Sequence, residues 1–191
     1  MRREYNDSLP VPSIISSKGA GGIISMNLNL PIKSPTVLLW IPMPDFVKFV
    51  GKLSYYLGLE LERSNYSRYP VGKLDDVEIH FNHYKNWEDA HAAWNKRKDT
   101  VNFNNLYIIA DDIGLSDEDM IRLEQVKCKR MIIFTALKKQ EFQYTFQLKQ
   151  YEKRGVLGAY SAKDLFGIPE FEKCFDYAKW LNGEKEFDLQ K

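Results

Sequence analysis

The chain reads as an α/β protein, a three-layer α/β/α arrangement whose central sheet is largely parallel, with a mixed sheet as the open alternative. Three observations predict this. Short apolar runs rich in Val, Ile and Leu, the mark of strands buried on both faces, recur at 11–16, 36–42, 106–110 and 130–135. Stretches with apolar residues at helical spacing fall between such runs. The 191 residues contain no repeat, low-complexity tract or linker, and a chain of that length buries roughly 70% of its unfolded surface without staples. The whole span, 1–191, is therefore read as a single α/β domain.

The first strand, 11–16, breaks into a small-residue loop with one lysine, Ser16-Ser17-Lys18-Gly19-Ala20-Gly21-Gly22. Residues 36–42 read as a second strand. Pro44 and Asp45 then open a helix with the apolar stripe Phe46, Phe49, Val50, Leu53 and Leu57, stopped at Gly58. Residues 59–63 and 77–84 read as strands on either side of a turn around Tyr69-Pro70-Val71-Gly72. Trp87, Ala90, His91 and Trp94 mark one face of a helix, and Lys96, Arg97 and Lys98 suit its solvated carboxyl end. The strand 106–110 ends at Asp111-Asp112. Ser116 with Asp119 three residues on has the pattern of a capping box, starting a helix to about residue 126. Another strand covers 130–135. Residues 137–168 mix Gln and Lys among Phe and Tyr without a period and read as mostly irregular; a lid, an edge strand and an oligomer contact all suit them. Phe171, Cys174, Phe175, Ala178 and Leu181 make a final amphipathic helix stopped by Asn182-Gly183. His91, Cys174, Trp40 and Trp94 read as core residues, and an aromatic at a crevice rim would also stack on a sugar.

Charge and composition exclude several classes. Lys plus Arg number 27 against 26 Asp plus Glu, a net charge of +1, whereas a nucleic-acid or membrane-surface protein carries a basic excess. No apolar stretch is long enough to cross a bilayer, so no transmembrane segment is expected. Charge at Met1-Arg2-Arg3 is followed by Pro10 and Pro12 rather than an apolar leader, so the expected location is cytoplasmic. Cys128 and Cys174 lie outside any CxxC or Cys/His cluster, which argues against a metal site or a disulfide framework. The oligomeric state is not readable from one chain.

The candidate site gathers at strand ends. In an open α/β sheet, ligands bind outside the carboxyl ends of the strands, and the 16–22 loop follows the first strand. Ser16, Ser17, Lys18, Gly19, Gly21 and Gly22 are candidate ligand-binding residues: glycines let backbone N–H groups approach a phosphate, and Lys18 adds charge. The loop lacks the spacing of the defined phosphate loops, and a plain strand-to-helix turn is the alternative. Asp111 and Asp112 end a strand at the same edge. Such carboxylates suit Mg²⁺ on a diphosphate, with Asp111 also a candidate catalytic group and Asp112 a ligand-binding one; an acidic turn before a helix is the alternative. His83, near the end of the strand predicted at 77–84, is a candidate general acid or base. His80, three residues away on the opposite face, reads as a packed structural residue and cannot join it on one ion.

Ser13-Ile14-Ile15-Ser16 with Gly21-Gly22, Ser34-Pro35-Thr36, Tyr69-Pro70-Val71-Gly72, Glu78-Ile79-His80-Phe81-Asn82-His83-Tyr84, Phe175-Asp176-Tyr177 and Trp180-Leu181-Asn182-Gly183 occur in that order. In this the chain resembles the bacterial domain-of-unknown-function family numbered 1919, whose members are often labelled exopolysaccharide biosynthesis proteins. The Glu78–Tyr84 segment is the most specific part. The resemblance implies an α/β domain associated with surface-glycan synthesis and carries over no catalytic residues. The loop departs from the family pattern Ser-Asn-Asn-Cys-x-Gly-Gly: Gly19 stands where the cysteine would be, so thiol chemistry there is closed to this chain. Two functions follow as expectations. One is a transferase or sugar-modifying enzyme that takes a nucleotide sugar or another phosphate-bearing donor. The other is a non-catalytic module that binds a glycan or a partner of the same machinery.

Overall fold

The computed structural model describes residues 4–64 and 68–184; the charged start Met1-Arg2-Arg3 and the far end of the span drawn as one domain lie outside the described residues. The elements in order are β1 (Ser13–Ser16), α1 (Ala20–Asn27), α2 (Met43–Gly51), α3 (Leu53–Gly58), β2 (Glu62–Arg63), β3 (Val71–Leu74), β4 (Val77–His80), α4 (Trp87–Lys98), β5 (Leu106–Asp111), α5 (Asp117–Glu124), β6 (Arg130–Thr135), β7 (Thr145–Gln147) and α6 (Tyr177–Asn182). Short 3₁₀ turns include Lys149–Arg154 and Glu170–Lys173. β1, β5, β6 and β7 form a parallel sheet in that order, and β2, β3 and β4 a separate antiparallel one.

Both faces of the parallel sheet are covered, as its continuous apolar strands require. The two-residue period sends Ile15, Ile108, Ala110, Met131 and Ile133 to one side, where they meet Phe46 and Phe49 of α2, Trp94 of α4, Met120 and Leu123 of α5, and Leu74 and Ile79 of the antiparallel sheet. Ile14, Tyr107, Ile109, Ile132 and Phe134 point the other way, onto Ile24 of α1, Trp180 and Leu181 of α6, and Tyr151, Tyr160, Phe171 and Phe175. The three-layer α/β expectation holds. Ser116 and Asp119 close the capping box of α5, and Gly183 ends α6 with φ +82°.

Several boundaries differ from expectation. Residues 36–42 are buried but are not a strand: 35–38 is a turn, and only Trp40 bridges, to His80 of β4. The segment runs along the outer edge of β1, where the Ser16 N–H donates to Thr36 Oγ1 (3.1 Å) and the Ile41 N–H to the Ser17 carbonyl (2.9 Å). Its apolar content reflects that burial, which a strand and a packed coil share. The turn expected around 69–72 is present at 68–70, but Val71 and Gly72 already belong to β3, and a second turn at Asp75-Asp76 joins β3 to β4; Asp75 has φ +52°, a conformation Asp tolerates. The strand expected at 77–84 stops at His80, and that expected at 59–63 shrinks to two residues. The stripe expected on one helix is split at Lys52, just after Gly51. The final helix begins only at Tyr177, because the Asp176 side chain caps it by accepting from the Lys179 N–H. Cys174 is consequently exposed, not core. His91 and Trp40 are half-buried, and Arg97 and Lys98 are not a free solvated end: they donate to the Tyr84 hydroxyl and the Leu59 carbonyl.

Candidate functional site at the carboxyl edge of the parallel sheet

From β1 the chain passes to 36–41 on one side, and later returns to β5 on the other. This change of direction falls at the carboxyl ends of β1 and β5, the position where open α/β sheets place ligands. The predicted loop and Asp111 meet there. Asp111 is fully buried; its Oδ2 accepts from Lys18 Nζ at 2.9 Å, the Tyr160 hydroxyl at 2.9 Å and Ser17 Oγ at 3.4 Å. Its Oδ1 accepts from the Ile113 N–H at 3.1 Å. A buried carboxylate persists only with such a set of partners. Lys18 Nζ also lies 5.2 Å from the centre of the Tyr160 ring. Burial, with the neighbouring Asp111 charge second, holds the Tyr160 hydroxyl well above its usual range, so it stays protonated as a donor.

One hydroxyl closes the loop. Ser16 Oγ donates to the Lys18 carbonyl (2.6 Å) and accepts from the Gly21 N–H (3.1 Å), tying the first turn of α1 to β1. A Cβ at Gly21 would stand 2.7 Å from Ser16 Oγ and 3.0 Å from Ile14 Cγ2, and one at Gly22 would stand 3.0 Å from Val37 Cγ1. Gly21 therefore serves the close approach of α1 to β1, and Gly22 its approach to the turn at 35–38. Gly19 differs: its φ is −61° and its Cβ position has only ordinary contacts, with Ile23 and Ser161. Beside it, Ser161 Oγ is buried without a hydrogen-bond partner among the described residues.

Asp112 diverges from Asp111. Its carboxylate lies 3.8 Å from Lys139 Nζ, and burial raises its pKa while Lys139 opposes the rise. Among the described residues no three His, Cys, Asp or Glu side chains gather to hold a metal, so Mg²⁺ at the two aspartates would take most of its oxygens from a ligand. No hydrogen bond or ion pair among the described residues joins His83 to this cluster. It sits exposed beyond β4, in the antiparallel sheet's connection to α4. His80 is 8% exposed, its ring 4.3 Å from Trp40, with Tyr69 3.4 Å from Nδ1: the packed role expected of it. Burial lowers its pKa below 6.5, against the smaller pull of Glu78 and Asp45.

Sequence reasoning misses Tyr160 and Ser161, which lie in the unpatterned 137–168 segment. That segment contains the edge strand β7. Beyond β6 and β7, Thr135, Lys138, Lys139, Gln140, Thr145, Gln147 and Lys149 line a cavity of about 350 Å³.

The fold and this edge define an α/β protein whose parallel sheet presents a polar crevice at its carboxyl ends. Within that class the chain belongs to the family Domain of unknown function (DUF1919), whose model matches residues 8–182. A Haemophilus influenzae protein described as uncharacterized is 31% identical over 176 residues, covering 89% of this chain and 84% of that protein. No helix among the described residues is long and apolar enough to cross a membrane.

Proposed function

We propose that the chain binds a phosphate-bearing sugar donor, a nucleotide sugar by class, across the carboxyl ends of β1 and β5, and transfers or modifies its sugar in cytoplasmic surface-glycan assembly. The observation that carries this reading is Lys18 Nζ held 2.9 Å from the buried Asp111 at the point where the sheet changes direction. Asp111, wholly enclosed, is a positioning residue. It fixes the Lys18 ammonium, whose side chain remains 24% exposed and whose other N–H groups face a leaving phosphate. Asp112 is the proton acceptor of this reading, since its burial-raised pKa brings a carboxylate closer to neutral operation. His83 has no part in it.

A thermal-shift screen with nucleotide sugars, each with and without Mg²⁺, tests the proposal. A ligand at a hundredfold excess over its dissociation constant adds about 2.7 kcal/mol of stability. The expected result is a shift with one donor that disappears in Lys18→Ala; no shift with any donor would overturn the reading. The non-catalytic module is favoured by one observation, Gly19 in place of the family's loop cysteine. Tight association with a glycosyltransferase in the absence of any small-molecule shift would select it.

A further inference from the structure

The ion pair of Lys18 with Asp111 leaves that cluster without net charge, so the one partly exposed Lys18 ammonium does not balance a diphosphate at this edge, and further cations are needed from elsewhere. They stand beyond the next two strands. The cavity past β6 and β7 is lined by Lys138, Lys139 and Lys149 and by no acidic residue, in a chain whose total net charge is only +1. Lys138 and Lys149 are exposed and have no ion pair among the described residues. Lys139 is held between Asp112, at 3.8 Å, and the Phe142 ring, 5.9 Å from its centre.

The hydroxyls of the lining are already committed. Thr135 Oγ1 donates to the Leu137 carbonyl and Thr145 Oγ1 to those of Lys139 and Phe142, while Gln147 Nε2 donates to the Ala136 carbonyl. These bonds shape the wall and leave the lysine ammonium groups and the Gln140 amide as donors available to a ligand. At about 350 Å³ the cavity matches the small end of ligand pockets, which run from about 300 to 1,000 Å³.

We infer that this cavity is an anion site for a phosphate or diphosphate group, held by Lys138, Lys139 and Lys149 as point charges. It deepens the reading above, resting on it only for the identity of the anion as the donor's phosphates; the cavity's own chemistry does not depend on it. Asp112, turned toward Lys139, joins the two halves of the edge.

Inorganic pyrophosphate is the probe, titrated calorimetrically into the full chain. Saturable binding is expected, weakening as salt rises. The double variant Lys138→Gln/Lys149→Gln should bind at least roughly tenfold weaker, the loss of at least one charge-assisted hydrogen bond. A charge-matched control with exposed lysines elsewhere, Lys52→Gln/Lys127→Gln, should bind like wild type. No binding by wild type, or equal binding by the Lys138/Lys149 variant, would overturn the site. Binding lost in Lys18→Ala but kept in that variant would return the phosphate to the 16–22 loop and overturn this site alone. Pyrophosphate held through Lys138 and Lys149, with no nucleotide sugar bound, would keep this site and overturn the donor reading.

Discussion

Two polar regions share the carboxyl edge of one sheet and are built on opposite principles. At the ends of β1 and β5, Asp111 is enclosed, its carboxylate accepts from Lys18, Tyr160, Ser17 and the Ile113 N–H, and its charge is matched by Lys18. Past β6 and β7, three lysines line an open cavity, and among the described residues Asp112 is the one carboxylate in an ion pair with any of them. The difference teaches where stability and binding lie. A closed, charge-balanced cluster holds the fold together and fixes one ammonium group; an open, unbalanced one contributes little to folding and keeps its charge for a ligand.

Breaking the closed cluster should have the largest effect. Asp111→Ala strands Lys18 and the Tyr160 hydroxyl without their acceptor, and is expected to cost about 3–5 kcal/mol in urea unfolding, as other broken buried pairs do. Lys138→Gln/Lys149→Gln should stay within about 0.5 kcal/mol of wild type in the same measurement. Equal losses would erase the contrast.

The glycines sharpen it next. Gly21→Ala drives a methyl against Ser16 Oγ and Ile14, and overpacking of this kind costs about 1–3 kcal/mol. Gly19→Ala meets only ordinary contacts at a φ of −61° and should stabilise by about 0.4–1 kcal/mol, through the unfolded chain. Chemical denaturation of the two variants side by side checks both signs.

The smallest effect concerns pH, at His80 in the antiparallel sheet. Burial keeps His80 neutral in the fold, with a pKa below 6.5. As pH falls through 6.5 the unfolded chain takes up a proton that the folded one resists, so this contribution is full above that value and lost below it. Unfolding free energy should therefore drop from pH 7 to pH 5, with a shallower drop in His80→Gln.

What a single sequence conveys about this edge follows its physics. β5 and β6 are legible because their apolar stretches, 106–110 and 131–134, are buried on both faces, and α5 because its cap is written in Ser116 and Asp119. Residues 36–42 mislead because lying against the edge of β1 buries side chains as thoroughly as joining a ladder would. The strand-end aspartates and the 16–18 loop are legible as candidates; their meeting is not, since it depends on β1 pairing with β5 across more than ninety positions. Tyr160 reaches Asp111 from 49 residues away in a segment without a period, so nothing local marks it. Lys138, Lys139 and Lys149 flank a three-residue strand, too short to show the alternation that would have placed them at one edge.

The contrast between the two regions is tested most directly by mapping lysine acylation, residue by residue, with and without pyrophosphate. Lys138 and Lys149 are exposed, whereas the Lys18 side chain is about three-quarters covered and paired with Asp111. Fast modification of Lys138 and Lys149, well ahead of Lys18, and protection of both by pyrophosphate are expected. Lys18 reacting as readily as Lys149, or pyrophosphate leaving Lys138 and Lys149 unprotected, would contradict the division of the edge into a closed cluster and an open anion site.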